Sequence, residues 1–389
     1  MEEKDISIEN PEIDKEDVSS DEVITQPFSP NDIKLSNPPM NLGDLIDMIT
    51  YGWVNFNTEY QRADNLWSDK KQSRLIESAL LGLRLPAFYF EEVNKRKWNI
   101  IDGLQRCSAI RNFCIDETLI LSDLEFLNFN GKKYNEFAFD LKRDIRMLPI
   151  TVNVLSAGVP DEVKYILFKR LNTGGIELTP QEIRNAMFQG TAIDTVKKIS
   201  KEPLFIKATE GKIPTNRKQD QDFVSRFIAF YMLGYESYTP DLDDFINKCM
   251  HNINKMSSNK EIEQMIIDFQ KAMSLSISIF GNDAFRKREN LNDNRKPLNK
   301  AYFEVIAVSF ARLKDQEIEF LLNNKELLKK NLTKAMCEYK SYNNSFSGGT
   351  GKRESVKKRF SVFSEILNKS MNGIEISIID DNTIEDRKL

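Results

Sequence analysis

The chain has 389 residues, 40% of them hydrophobic and 29% charged, with a formal net charge of −4. That length suits one large domain or two of ordinary size, and the apolar content supports a sizeable core. The absence of any apolar run of about 18 residues argues against a membrane-spanning helix, and no basic start leads into an apolar stretch, so no secretory signal is read and a cytoplasmic protein is expected.

Taken in chain order, residues 1 to 38 are acidic and poor in aromatics, and are expected to be a disordered tail. Glu2, Glu3, Asp5, Glu9, Glu12, Asp14, Glu16, Asp17, Asp21 and Glu22 all fall in it, leaving a mildly basic body behind. A solvated leader is favoured over one that screens a basic groove. Asn41 caps a first helix with Leu42, Leu45, Ile46 and Ile49 on one face. Val54 and Phe56 suggest a short strand, and Ser68 caps a second helix that closes near Gly82. Phe88–Glu91 and Trp98–Ile101 read as strands, Leu148–Leu155 as another, and Asp161–Leu171 as a helix stopped by Gly174-Gly175. Thr179-Pro180-Gln181-Glu182 combines a capping box with proline in the first turn. Beyond it the periodicity is helical, with helices indicated near 221–233, 242–255, 260–280, 298–313, 315–329 and 353–369. Phe223, Phe227, Phe230 and Tyr231 form an aromatic stripe read as core packing.

Two residue types narrow the chemistry. Cys107, Cys114, Cys249 and Cys337 fall at no metal-ligand spacing, so reduced thiols are expected. The single histidine, His251, sits in a polar stretch and reads as a surface residue. Histidine-dependent triads, phosphodiesterases and HNH nucleases are thereby implausible. What is left is carboxylates, amides, Arg, Lys and a divalent metal.

The stretch Lys97–Ile110 carries the strongest signal: a strand entering a helix through a turn made of Asp102, Gly103, Gln105 and Arg106. A glycine there admits close backbone approach, and a helix N-terminus favours anions, phosphates especially. On these residues alone, a helix cap and a turn glycine account for the pattern equally well. Asp102-Gly103-Leu104-Gln105-Arg106 resembles the Asp-Gly-Gln-Gln-Arg motif of the ParB/sulfiredoxin-like family known as domain of unknown function 262, with Leu104 standing where the family has its first Gln. Tyr60-Gln61-Arg62 and Trp67 upstream are similar to that family's order of elements. So are Phe168–Gly175 and Leu178–Ala186 downstream, with weaker echoes at Phe280–Phe285 and Pro297–Lys300. The likeness spans roughly residues 40 to 370.

The family includes the GmrS half of the GmrSD modification-dependent restriction enzymes, and the resemblance implies an α+β architecture. A ParB/sulfiredoxin-like mixed α/β domain over 39–178 is followed by an all-helical domain over 179–375 and a C-terminal tail over 376–389. It implies a nucleoside triphosphate with Mg²⁺ at the turn. Asp102, Gln105 and Arg106 would be catalytic, Asp102 also the metal ligand, and Gly103, Tyr60, Gln61, Arg62, Asn172 and Thr173 would contact nucleotide or phosphate. Asn185 is given the supporting task of shaping the loop at Asn172–Gly175. The implied role is hydrolysis coupled to defence against foreign DNA, with a separate nuclease or effector subunit as partner. A non-catalytic sensor of nucleotide or modified DNA, and a stand-alone DNA-nicking enzyme, are the alternatives.

Gly348-Gly349-Thr350-Gly351-Lys352 fails as a P-loop, because Phe346 takes the place of the first Gly and Arg353 that of the final Ser or Thr. It reads as a flexible loop before a basic helix. Lys352, Arg353, Lys357, Lys358 and Arg359 are candidates for nucleic-acid backbone contact, with a solvated helix face somewhat favoured over it. Pro160–Lys164 superficially resembles a nuclease core and is discounted.

Overall fold

In the computed structural model, which describes residues 12–14, 34–56, 67–94, 97–171, 178–290, 294–380 and 383–386, the chain divides into two units. One is Gln26–Met187; the other is Phe188–Leu389 together with Met1–Thr25.

The first unit is mixed α/β. Its elements are β1 (Leu35–Ser36), β2 (Met40–Asn41), α1 (Leu42–Thr50), β3 (Val54–Asn55), α2 (Asp69–Leu80), β4 (Phe88–Asn94) and β5 (Lys97–Asp102). They continue with α3 (Leu104–Cys114), α4 (Phe139–Met147), β6 (Pro149–Ile150), β7 (Val152–Leu155), α5 (Asp161–Leu171) and α6 (Pro180–Met187). Five strands form one sheet in the order β1-β7-β4-β5-β3. β4 runs antiparallel to β5, while β3 is parallel to β5 and β4 to β7.

Side chains alternate across a sheet with period two, and here both faces are covered. Phe88, Phe90, Ile100, Val152 and Val154 share a core with Leu45, Ile46, Ile76, Leu104, Ile110 and Ile145 from the first four helices. Ile101 and Leu155 belong to a second core with Val163, Phe168 and Ile183 from α5 and α6. β5 therefore has a helical layer on each side, and its last residue is Asp102.

The caps read from sequence are in place. Asn41 and Asp44 close a capping box on α1, and Ser68 accepts from the N–H of Lys71 on α2. Thr179 and Glu182 do the same for α6, at 3.2 and 2.8 Å. The strand expected over 148–155 is split at Thr151: β6 pairs with β2, and β7 joins the main sheet between β1 and β4. α4 was not expected. On α2, burial pushes the Glu77 carboxyl up. The N–H groups of Glu125, Phe126 and Leu127, at 2.9, 2.7 and 2.9 Å, outweigh that and hold it below its usual range.

The second unit is built from α7 (Thr191–Ser200), α8 (Pro203–Ala208), α9 (Gln219–Leu233), α10 (Leu242–Asn254), α11 (Lys260–Phe280) and α12 (Lys300–Ala311). α13 (Asp315–Asn323), α14 (Lys325–Glu338), α15 (Lys340–Asn344) and α16 (Arg353–Met371) follow, and then a hairpin of β8 (Ile376–Asp380) and β9 (Thr383–Asp386). The hairpin occupies what reads as a tail. The helix expected over 315–329 is two helices, broken at Asn324, where φ is −110° and ψ 21°. Phe223, Phe227 and Phe230 are fully buried, as the aromatic stripe suggests.

Two described pieces of the expected tail are engaged: β1 pairs with β7, and Ile13 forms a bridge to Leu298. Among the described residues no helix is long and apolar enough to cross a membrane.

Burial pushes the thiols of Cys107, Cys114 and Cys249 up to about 12, whereas Cys337 is exposed. A thiol needs its anion and access to react. The native protein is therefore expected to titrate one fast thiol with a chromogenic disulfide reagent, and all four after unfolding. Two or more fast thiols in the native state would contradict the burial.

Candidate functional site

Gly103 is the pivot between β5 and α3. Its φ of 109° and ψ of 12° fall where a side chain is disfavoured, and a Cβ there would lie 2.8 Å from the Phe88 ring. With no Cβ, the chain turns tightly under Phe88 and starts α3 at Leu104. Gly103, as the N-cap residue, has no side chain with which to cap α3.

Asp102 is about a third exposed, and its Oδ2 accepts from an Arg106 guanidinium nitrogen at 2.6 Å. That guanidinium is committed elsewhere as well. It donates to the carbonyls of Pro86 and Ala87, at 2.5 and 2.9 Å, and lies 4.7 Å over the Phe88 ring. Arg106 thus clamps β5 and α3 to the chain entering β4 and fixes one carboxylate oxygen of Asp102. Its side chain is only 11% exposed.

Gln105 turns toward the chain that enters α2: its Oε1 accepts from the N–H of Trp67 at 3.2 Å. Gln72 donates to the Trp67 carbonyl at 2.9 Å, and Asn112 on α3 donates to Gln72 at 2.9 Å. The other side of this connection ends at Phe56, whose ring lies 4.6 Å under the guanidinium of Arg111. Phe56 and Trp67, the described residues on either side of this connection, thus each contact α3. Because β3 is parallel to β5, the chain leaves β3 in the direction in which β5 runs to Asp102. Tyr60, Gln61 and Arg62 lie outside the described residues, as do Asn172 and Thr173 and the glycines after them.

Leu104 is 4% exposed and belongs to the core beneath the sheet. The position at which the motif departs from the family pattern is thus an inward-facing one.

Arg184 and Asn185, noted in the sequence one turn after the Thr179 cap, join Gln181 in a buried polar row on α6 whose mutual contacts were not foreseen. Gln181, Arg184 and Asn185 are each 1% exposed, and their spacing places them on one helix face. Arg184 Nε donates to Gln181 Oε1 at 2.9 Å, and Gln181 Nε2 to Asn185 Oδ1 at 2.9 Å. A buried arginine persists only when its donors are satisfied, so the signal available was three long polar residues on a helix otherwise lined by Ile183 and Ala186. The Asn172–Gly175 loop that Asn185 was expected to shape lies outside the described residues.

The basic stretch at α16 is divided. Arg353 and Lys357 are exposed, and Lys352 and Lys358 half-buried. Lys358 donates to Ser341 Oγ at 2.7 Å. Arg359, in contrast, is fully buried against Glu304 and donates to the Thr350 carbonyl at 2.7 Å, so it is unavailable to nucleic acid. The loop before it is internal rather than a flexible surface loop: Thr350 is fully buried, and the Tyr238 hydroxyl donates to the Gly351 carbonyl at 2.7 Å. Lys164, in the discounted nuclease-like stretch, pairs with Glu91 on β4 at 2.7 Å. Among the described residues, no three or more His, Cys, Asp or Glu side chains could together hold a metal ion.

Residues 42–189 match the family model described as the N-terminal domain of the GmrSD restriction endonuclease. The match takes in all three main motif blocks and stops short of the echoes at Phe280–Phe285 and Pro297–Lys300. No curated protein matches the chain, and no solved structure does.

Proposed function

We propose, from the premise that residues 42–189 form a GmrSD-like N-terminal domain of a restriction-system protein, that the Asp102–Arg106 turn binds a nucleoside triphosphate and hydrolyses it. The observation that carries the reading is the start of α3 directly behind Gly103, where backbone can approach a ligand closely, with the Asp102 carboxylate beside it. Backbone N–H groups at a helix start suit a phosphate, and being fixed in place they stabilise charge without reorganising.

In this reading the water oxygen attacks the γ-phosphorus while the bond from that phosphorus to the bridging oxygen breaks. The leaving diphosphate takes the electron pair, and the proton that the water gives up passes to an oxygen of the released phosphate. Asp102 orients the attacking water through Oδ1, since Oδ2 is held by Arg106. Arg106 is a positioning residue: it sets the carboxylate and the turn, rather than reaching the phosphates itself. Gln105 steadies Trp67 at the entry to α2. Mg²⁺ usually takes one or two carboxylates and completes its shell with phosphate oxygens and water. Asp102 with a bound triphosphate fits that donor set, and the ion would neutralise phosphate charge.

A second reading has its own observation. Leu104 puts an apolar, core-facing side chain where the family has Gln, which favours a sensor that binds nucleotide or modified DNA without turnover and signals to a separate effector. Phosphate release with each of the four triphosphates and Mg²⁺, beside Asp102→Asn, separates the two. Release that falls at least a hundredfold in the variant supports hydrolysis. Binding without release supports the sensor, and nicking of supercoiled plasmid in place of either supports DNA cleavage at the same turn.

A further inference from the structure

The described part of the acidic leader does not stand free in solvent. Leu298 N–H donates to the Glu12 carbonyl and Asp14 N–H to the Leu298 carbonyl, each at 2.7 Å, so Ile13 adds a single bridge beside Leu298. On either side of that bridge a carboxylate is seated on cations. Glu12 meets Lys212 Nζ at 3.1 Å with one oxygen and Arg286 at 3.5 Å with the other. Asp14 Oδ2 meets Lys287 Nζ at 3.2 Å and accepts from Asn299 Nδ2 at 3.0 Å.

The cations are built into the unit, whereas the leader lies on it. Arg286 is 3% exposed and Lys287 7%. Arg286 is anchored by donating to the Lys296 carbonyl at 2.7 Å, and Lys287 by donating to Ser347 Oγ at 2.6 Å. Arg286 also lines an open recess together with Arg288, Lys329 and Asp283, in which Arg288 is paired with Asp283 at 2.7 Å. Lys212 holds the Glu12 carboxyl below its ordinary range, against the opposing push of burial, with Arg286 adding to the effect. Arg286 also meets Glu210 Oε2 at 3.4 Å within the unit, whereas Lys287 is paired with Asp14 of the leader; a buried cation is costly without an anion.

We propose that this basic seat of the helical unit is a binding site for the phosphate backbone of DNA, and that the leader occupies it in cis as a displaceable substitute. The two carboxylates lie two residues apart, one on each side of a single bridge, so the seat takes two negative charges in succession along a chain. The leader is itself a polyanion, with ten acidic and two basic residues in its first 24. Its described hold is one bridge and two carboxylate seats, so a duplex offering several phosphates can displace it. The choice of DNA over an acidic polypeptide rests on the restriction-system reading, but nothing in it depends on triphosphate hydrolysis.

The test is fluorescence anisotropy of a labelled 20-base-pair duplex with the full chain, without nucleotide, across a salt series. Neutralising the leader with Glu12→Gln and Asp14→Asn together should tighten DNA binding about tenfold. The dependence of log affinity on log salt should steepen by about 0.9 for each phosphate newly engaged. Adding Lys212→Gln, a partly exposed position, should cancel most of the gain. Unchanged affinity in the leader variant overturns the proposal, as does a gain that survives both Lys212→Gln and Lys287→Gln. A lowered unfolding temperature with no gain in affinity overturns it too, by making the leader a structural strap. If polyglutamate displaces the leader and duplex does not, the ligand is an acidic polypeptide and the DNA assignment fails. Because no nucleotide is present, failure here leaves the phosphate-release result untouched.

Discussion

Replacing Arg359 by leucine is expected to destabilise the helical unit by about 3–5 kcal/mol, the usual cost of stranding one member of a buried ion pair. Arg359 and Glu304 are both fully buried, joined by an Nε–Oε1 hydrogen bond of 2.9 Å and a second contact through NH2. Arg226 adds a third charge, 3.6 Å from the other Glu304 oxygen. The substitution removes the donors to Glu304 and the one that closes the 345–351 loop at the Thr350 carbonyl. With a urea dependence of about 2 kcal/mol per molar, the midpoint should fall by roughly 2 M.

The chain supplies its own control. Its three tryptophans, Trp53, Trp67 and Trp98, all lie in the α/β unit, so their fluorescence follows that unit while far-ultraviolet circular dichroism is dominated by the helical one. The dichroism transition should move and the fluorescence transition stay; equal movement of both would mean that the pair supports more than its own unit. A double change, Glu304→Leu with Arg359→Met, should recover much of the loss, since an apolar pair of similar volume carries no desolvation cost.

Gly103→Ala is expected to reverse that pattern. The new methyl would sit 2.8 Å from the Phe88 ring, at a backbone angle of φ 109° that L-residues avoid. The backbone term alone costs about 1–2 kcal/mol, and forcing Phe88 aside raises the total to roughly 2–4 kcal/mol. The fluorescence transition should move and the dichroism transition hold. Phosphate release should fall by at least a hundredfold even where the variant is folded, because the Asp102 carboxylate and the start of α3 no longer share their geometry. Normal release in the folded variant would remove the turn from the mechanism.

Much of the α/β unit was legible because its signals are local. Asn41 with Asp44, Ser68, and Thr179 with Glu182 announce helix starts within four residues, and Ile100 and Ile101 fall on opposite faces by simple alternation. What was not legible depends on partners distant in sequence. Leu35–Ser36 is a strand only because Val154 and Leu155 lie beside it. Arg359 looks like one more surface cation until Glu304, 55 residues away, is placed against it. Leu104 reads in a motif as a missing polar group; in three dimensions it fills the core under the sheet. Asp102, Gly103 and Arg106 were legible together, but the contacts that Arg106 makes were not. Its carbonyl partners at Pro86 and Ala87 carry no side-chain signal that a sequence could show.

The burial of α3 has a consequence for how binding can be observed. Eight of its eleven residues are buried, from Leu104 through Cys114, so its amides beyond the first turn should exchange with solvent only when the whole α/β unit opens. A ligand that binds the closed form alone slows that opening by the factor 1 + [L]/Kd, about a hundredfold at one hundred times Kd. Deuterium uptake along this one helix would therefore weigh a bound nucleotide whether or not it is ever cleaved.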